Sequence, residues 1–288
     1  RQGIASGTVL KTAASLYVSA GGVVSGTVIS GSGSAFISGT ASGSLLSGGW
    51  QVVSSGATAL ATTVSSGGVE MVSSGATTTN TTVSSGGRQV LVGGGIAYAT
   101  DLKTAGAQVV LAGGSALNTT VSGGNQVISG GGLAVDAAIY NAGYQQISAG
   151  GVASGTTLYG VGTQIVSAGG SAVATVVSSG GIENVLSGGT ASGSDVTFGG
   201  RLNVSSGGTV SGAAINGGTL VIMSGGTAGS STLTFGASGT LTLDDSQSFA
   251  GTVAGMANTS QIIIGTGTSQ FAHAFGIYGQ IAAYLDQN

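Results

Sequence analysis

Aliphatic residues return along this chain every 18 or 19 residues, and that interval constrains the fold more than any other feature. One column reads Leu10, Val28, Leu46, Val64, Val83, Leu102, Val121, Ile139, Leu158, Val177, Val196, Ile215 and Leu233. A second, at the same period, reads Val53, Val72, Leu91, Val110, Ile128, Ile147, Val166, Val185, Val204 and Ile222. Small residues make a third, six positions after the second: Ala59, Thr78, Ala97, Ala116, Ala134, Ala153, Ala172, Ala191, Val210 and Ala228. A unit of this length, cut by Gly-Gly or Ser-Gly every six to ten residues, has no room for a helical period and cannot bury its own apolar side. Stacked units can. The expected fold is therefore all-β: a parallel β-helix of about 13 coils, its strands roughly 4.8 Å apart and its length about 60 Å.

Two further columns concern the interior and its corners. Four positions before the second aliphatic column, glycine occurs in ten successive repeats: Gly49, Gly68, Gly87, Gly106, Gly124, Gly143, Gly162, Gly181, Gly200 and Gly218. An unbroken glycine column marks a corner where a positive φ or a close backbone approach excludes Cβ. Two positions before the same aliphatic column lie Gln51, Glu70, Gln89, Gln108, Gln126, Gln145, Gln164 and Glu183, followed by Leu202 and Leu220. Strand alternation points these residues inward, so the amides are expected to bond along the axis. Glu70 and Glu183 interrupt the amides, and an unpaired buried carboxylate is costly, so the corner is expected to be open enough to wet them. The pattern fades at about residue 243, which divides the chain into a solenoid, 1–243, and a capping or subunit-contact segment, 244–288.

Composition removes several functional classes. Five Lys/Arg cannot neutralise a phosphate backbone, so nucleic acid is not an expected partner. Without Cys there is neither a disulfide framework nor a thiolate metal site. Gly is abundant (59) but not every third residue, and Pro is absent, which excludes collagen. A hydrophobic content of 41% argues against a disordered linker. No window of 18 consecutive apolar residues marks a transmembrane helix, and the opening RQGIASGTVL lacks the apolar run of a signal peptide.

The acids do not assemble an active site by spacing. Asp101 and Asp195 share an outward column five coils apart, about 24 Å, whereas paired glycosidase carboxylates stand roughly 5–9.5 Å apart. Asp244 and Asp245 are adjacent and so face opposite sides of a strand. Glu183 and Asp195 share a coil and remain open as a pair. His273, the single histidine, has no clustered ligands around it. No catalytic residue, metal or cofactor is expected. Among the aromatics Trp50, Tyr98, Tyr140, Tyr144 and Tyr159, the group Tyr140, Tyr144 and Tyr159 is the candidate glycan-stacking patch.

The string SGG-x-A-x-x-T-x-V-x-S-G-G-x-x-x-V occurs with substitutions at 188–207 and around 54–74. It resembles the AIDA-type repeat of the passenger domains of self-associating bacterial autotransporter adhesins, over roughly residues 10–235. The following LTLDDSQSFAGTVAGMA resembles the segment that closes such arrays in secreted proteins of alphaproteobacteria. The resemblance implies right-handed coiling, a cell-surface or extracellular location, and a role in adhesion, self-association or biofilm formation. It also implies O-linked heptose on turn serines, with Ser65, Ser73, Ser84, Ser178 and Ser205 at the matching positions. No membrane-anchoring barrel is recognised, so the chain is not expected to anchor itself. The expected partners are further copies of the chain, stacked head to tail into filaments with residues 244–288 on the next subunit's first coils, and host or bacterial surface glycans. The alternatives are a polysaccharide-degrading β-helix enzyme and a passive stalk within a larger adhesin.

Overall fold

The computed structural model describes residues 3–265, apart from 55, 74, 246–248 and 258. Among the described residues, each of the first 12 coils contributes one short strand to each of three parallel sheets, the last two coils contribute to two of them, and successive coils stack in register. Sheet A has 12 strands, from Ile4–Ser6 to Thr209–Ser211. Sheets B and C have 14 each, from Val9–Leu10 to Thr252–Ala254 and from Ser15–Val18 to Gln261–Ile264. One coil thus runs Ile96–Tyr98 in A, Asp101–Leu102 in B and Ala107–Val110 in C. Two strands, Thr252–Ala254 and Gln261–Ile264, carry the ladders of B and C past residue 243.

Each of the three apolar columns lines one sheet. Ala59, Ala97, Ala116 and their equivalents fill sheet A; Val64, Val83 and Leu102 fill B; Val72, Leu91 and Val110 fill C; all are buried. Two positions differ from the sequence expectation. Ile29, not Val28, aligns with Leu10 and Leu46. Phe235, not Leu233, aligns with Ile215. A fixed spacing of 18 or 19 misses both, because the corner loops shorten one coil to 17 residues and lengthen another to 20.

The ten-glycine column owes its composition to close approach. None of the ten has a positive φ; the left-handed residue is the one before, as at Gly67 (φ 78°) and Gly86 (φ 81°). That preceding site accepts Ala105, Ala142 and Val161 in three coils. The next site accepts only glycine, because a Cβ there runs into the coil beneath: onto the Ile139 carbonyl oxygen at Gly162, and 2.9 Å from the Leu46 carbonyl oxygen at Gly68. Gly95, Gly114, Gly132, Gly151, Gly170, Gly189 and Gly208 make a second close-approach column, between sheets C and A. The Gly-Gly pairs carry this column as well as the first, and periodicity alone does not separate the two.

The corner between A and B is a single left-handed residue. Gly occupies it in many coils, Asn80, Asn118 and Asp136 in three, and Ala61, Ala99 and Ala174 in three more. Asn and Asp tolerate this conformation better than other L-residues, which accounts for their appearance there.

Candidate functional site

The Gln column points inward from sheet C, and it is dry. Gln51, Glu70, Gln89, Gln108, Gln126, Gln145, Gln164 and Glu183 are all fully buried, so the expectation that solvent wets the two glutamates is wrong. Their corner is sealed by the same glycine approach that lets adjacent coils touch. The amides instead satisfy one another. Gln108 Nε2 donates to Gln89 Oε1 at 2.7 Å, and Gln126, Gln145 and Gln164 repeat the bond at 2.6–2.7 Å. Inward threonines brace the ladder from the A–B corner: Thr100, Thr156 and Thr175 each donate a hydroxyl to the Gln Oε1 of their neighbouring strand. At Glu70 the donors converge, Gln51 Nε2 at 3.2 Å, Thr81 Oγ1 at 3.1 Å and Gln89 Nε2 at 2.8 Å. Burial raises the Glu70 pKa above its ordinary 4.5, and these donors oppose the rise.

The outer face of sheet C carries a feature the sequence reading did not find. Its second outward position reads Tyr17, Phe36, Val52, Met71, Val90, Val109 and Val127 over seven consecutive rungs. Gln146, Ile165, Asn184 and Asn203 follow. The apolar stripe begins in a ring stack: Tyr17 and Phe36 lie 5.0 Å apart with planes 11° from parallel, and Tyr17 is 72% exposed. It gives way to an amide pair, Asn203 Nδ2 donating to Asn184 Oδ1 at 2.9 Å. The signal was present as an apolar residue between Gln and the inward aliphatic, as in QVV, EMV and QVL. It was masked because the inward columns drew the periodicity.

The acids stay apart. Asp101 faces out from sheet B and pairs with Lys103 Nζ at 3.4 Å. Asp195 lies five rungs along the same sheet and accepts from Asn216 Nδ2 at 2.6 Å. Glu183 is inside the wall and Asp195 outside it, so this last open pair does not converge on one substrate. Among the described residues no group of three or more His, Cys, Asp or Glu is placed to hold a metal ion. His273 lies outside the described residues.

Tyr140 and Tyr159 come together, with rings 4.9 Å apart and 11° from parallel. Tyr144 sits on sheet C, beside Asn125 and Thr163. Its hydroxyl pKa is raised by partial burial. Ser65, Ser73, Ser84, Ser178 and Ser205 are half-buried. Ser65 and Ser178 also turn their hydroxyls onto the Leu46 and Leu158 carbonyls of the coil beneath. The serines that follow, Ser66, Ser85, Ser179 and Ser206, are the exposed ones.

Together these features define a class, a charge-poor parallel β-solenoid whose regular outer faces carry its surface chemistry. The chain is similar in structure to a crystallised TibA fragment, hyper-glycosylated by TibC, at a TM-score of 0.86 and 33% sequence identity. The match covers 95% of this chain and 99% of that one. TibA is an autotransporter adhesin of AIDA type, and the fragment is part of its passenger. The chain belongs to this family of AIDA-type repeat β-helices. No family model and no curated protein matches it.

Proposed function

We propose that this chain is a non-catalytic adhesive β-solenoid that works at the bacterial surface or outside the cell, and that it associates with copies of itself side by side through the outer face of sheet C. The observation that carries the reading is the stripe from Tyr17 to Val127, seven apolar side chains on consecutive rungs. A contiguous apolar surface of this kind marks an interaction site. The stripe is about 30 Å long at strand spacing and one strand wide, well short of the ~800 Å² per partner of a standard interface. One pair therefore binds weakly. Copies displayed in numbers on two cells convert weak pairs into firm adhesion, because each contact raises the effective concentration of the next.

The exposed turn serines Ser66, Ser85, Ser179 and Ser206 join the half-buried set as acceptors for O-linked sugar, by analogy with the glycosylated TibA fragment. Surface glycans remain a second class of partner. The Tyr140–Tyr159 pair offers them ring edges and outer ring faces, since only the two inner faces are spent on the stack.

The test is a double variant, Met71→Lys with Val109→Lys. Both side chains are half-exposed, so the fold should persist by circular dichroism. Sedimentation velocity over a concentration series should show self-association weakened by at least tenfold, and electron microscopy of the wild type should show lateral pairs. Unchanged association in the variant, or end-to-end filaments alone, would place the contact elsewhere.

A further inference from the structure

The buried ladder has a direction, and its last member does not fit that direction as a carboxylate. Three of its amide oxygens accept twice. Gln89 Oε1 takes Thr100 Oγ1 at 3.0 Å and Gln108 Nε2 at 2.7 Å. Gln108 Oε1 takes Thr119 Oγ1 and Gln126 Nε2; Gln145 Oε1 takes Thr156 Oγ1 and Gln164 Nε2. Each oxygen thus receives one threonine hydroxyl and one donor from the next coil. Gln164 Oε1 receives its threonine, Thr175 Oγ1 at 3.2 Å, and its register partner in the next coil is Glu183. Both oxygens of Glu183 are buried without a hydrogen-bond partner among the described residues, and so is Ser194 Oγ in the same coil. On its other side Glu183 meets Leu202.

Reversing all five amides would aim Gln164 Nε2 at Glu183, but only at the cost of the other end: Glu70 would lose its 2.8 Å donor, Gln89 Nε2, and face an amide oxygen instead. The direction is therefore fixed at Glu70, which accepts from both flanks. What is missing at the far end is a donor.

We propose that Glu183 is held as a neutral carboxylic acid whose O–H donates to Gln164 Oε1, so that the acid closes the ladder as the next glutamine would, while Glu70 at the other end is the accepting carboxylate. The second oxygen of Glu183 then accepts the Ser194 hydroxyl, and the three unpartnered atoms are accounted for together. No titratable or charged side chain of the packed elements faces Glu183 among the described residues. Gln164, Thr175, Ser194 and Leu202 surround it, and the nearest charges in sequence, Asp195 and Arg201, face outward.

The arrangement makes coil stability depend on pH. Burial moves the Glu183 pKa from its ordinary 4.5 to about 7, against the opposing pull of the Ser194 and Thr175 hydroxyls. The folded chain holds this proton more tightly than the unfolded chain. Its stabilisation is therefore complete below about pH 4.5, is lost as pH rises to about 7, and changes little beyond. Across that window the folding equilibrium should move against the folded state on the order of a hundredfold.

The chain has two glutamates, so glutamate labelled with ¹³C at the side-chain carboxyl gives two signals. In the intact protein at pH 6, one should carry the chemical shift of a neutral acid and titrate near 7. Glu183→Gln, which supplies an amide N–H in place of the acid, should fold, remove that signal and flatten most of the fall in stability between pH 4.5 and 7. Two carboxylate signals at pH 6 overturn the proposal, and so does a neutral signal that persists in Glu183→Gln. Should that variant fail to fold, the wild-type signals and stability profile decide alone, and stability that rises with pH across the window also counts against it.

Discussion

At the scale of single residues, two adjacent corner columns rich in glycine have opposite tolerances. Gly162 is held by the carbonyl beneath it, whereas Gly67 has a positive φ and open space where a Cβ would lie. Gly162→Ala should cost about 1–3 kcal/mol by forcing two coils apart, and Gly67→Ala about 1 kcal/mol through backbone strain alone. Urea denaturation should rank them in that order. The ladder is a second residue-scale case. Gln126→Leu removes the acceptor for Gln145 Nε2 and a donor to Gln108 Oε1. Leaving buried amides underbonded should cost about 2 kcal/mol or more, measured in the same way, although leucine itself occupies the equivalent buried place at Leu202. The difference is position: Leu202 follows the ladder's end, and Gln126 is in its middle.

At the scale of strands and corners, the A–B corner offers room for improvement. Ala99 sits there at φ 52°, a conformation that glycine adopts freely. Ala99→Gly should raise stability by roughly 0.5–1 kcal/mol, seen as a higher denaturation midpoint, despite the usual entropic cost of glycine. The strands themselves were largely legible in the sequence. Inward positions repeat faithfully because each must fit the coil above and below, so Val64, Val72 and Ala97 announce their sheets. Outward positions meet only their neighbours and solvent, and they drift. That is why the stripe through Met71 and Val90 escaped notice while the Gln ladder behind it did not. The left-handed corners hid for a related reason, since Gly, Ala, Asn and Asp all occupy one site. The state of Glu183 was not legible at all. Spacing places it in the ladder, but only the bonding direction of the five preceding amides shows what it must supply.

At the scale of the whole molecule, contacts join each coil to its neighbours, so stability accumulates coil by coil. Removing residues 107–124 joins Gly106 to Asn125, which already lies in register with Ala107. This deletion should leave a folded solenoid with a slightly smaller urea m-value, whereas removing half as many residues should abolish cooperative unfolding. The stacking also sets how the molecule responds to load. The sheet hydrogen bonds run along the axis, so a pull on the two chain ends peels coils in succession instead of shearing all the sheets at once. Each released coil of 19 residues yields roughly 60 Å of extended chain in place of ~4.8 Å of stacked height. An adhesin built this way lengthens under tension by more than tenfold per coil and dissipates energy at every step, so a cell tethered through it is braked before the bond at its tip is broken.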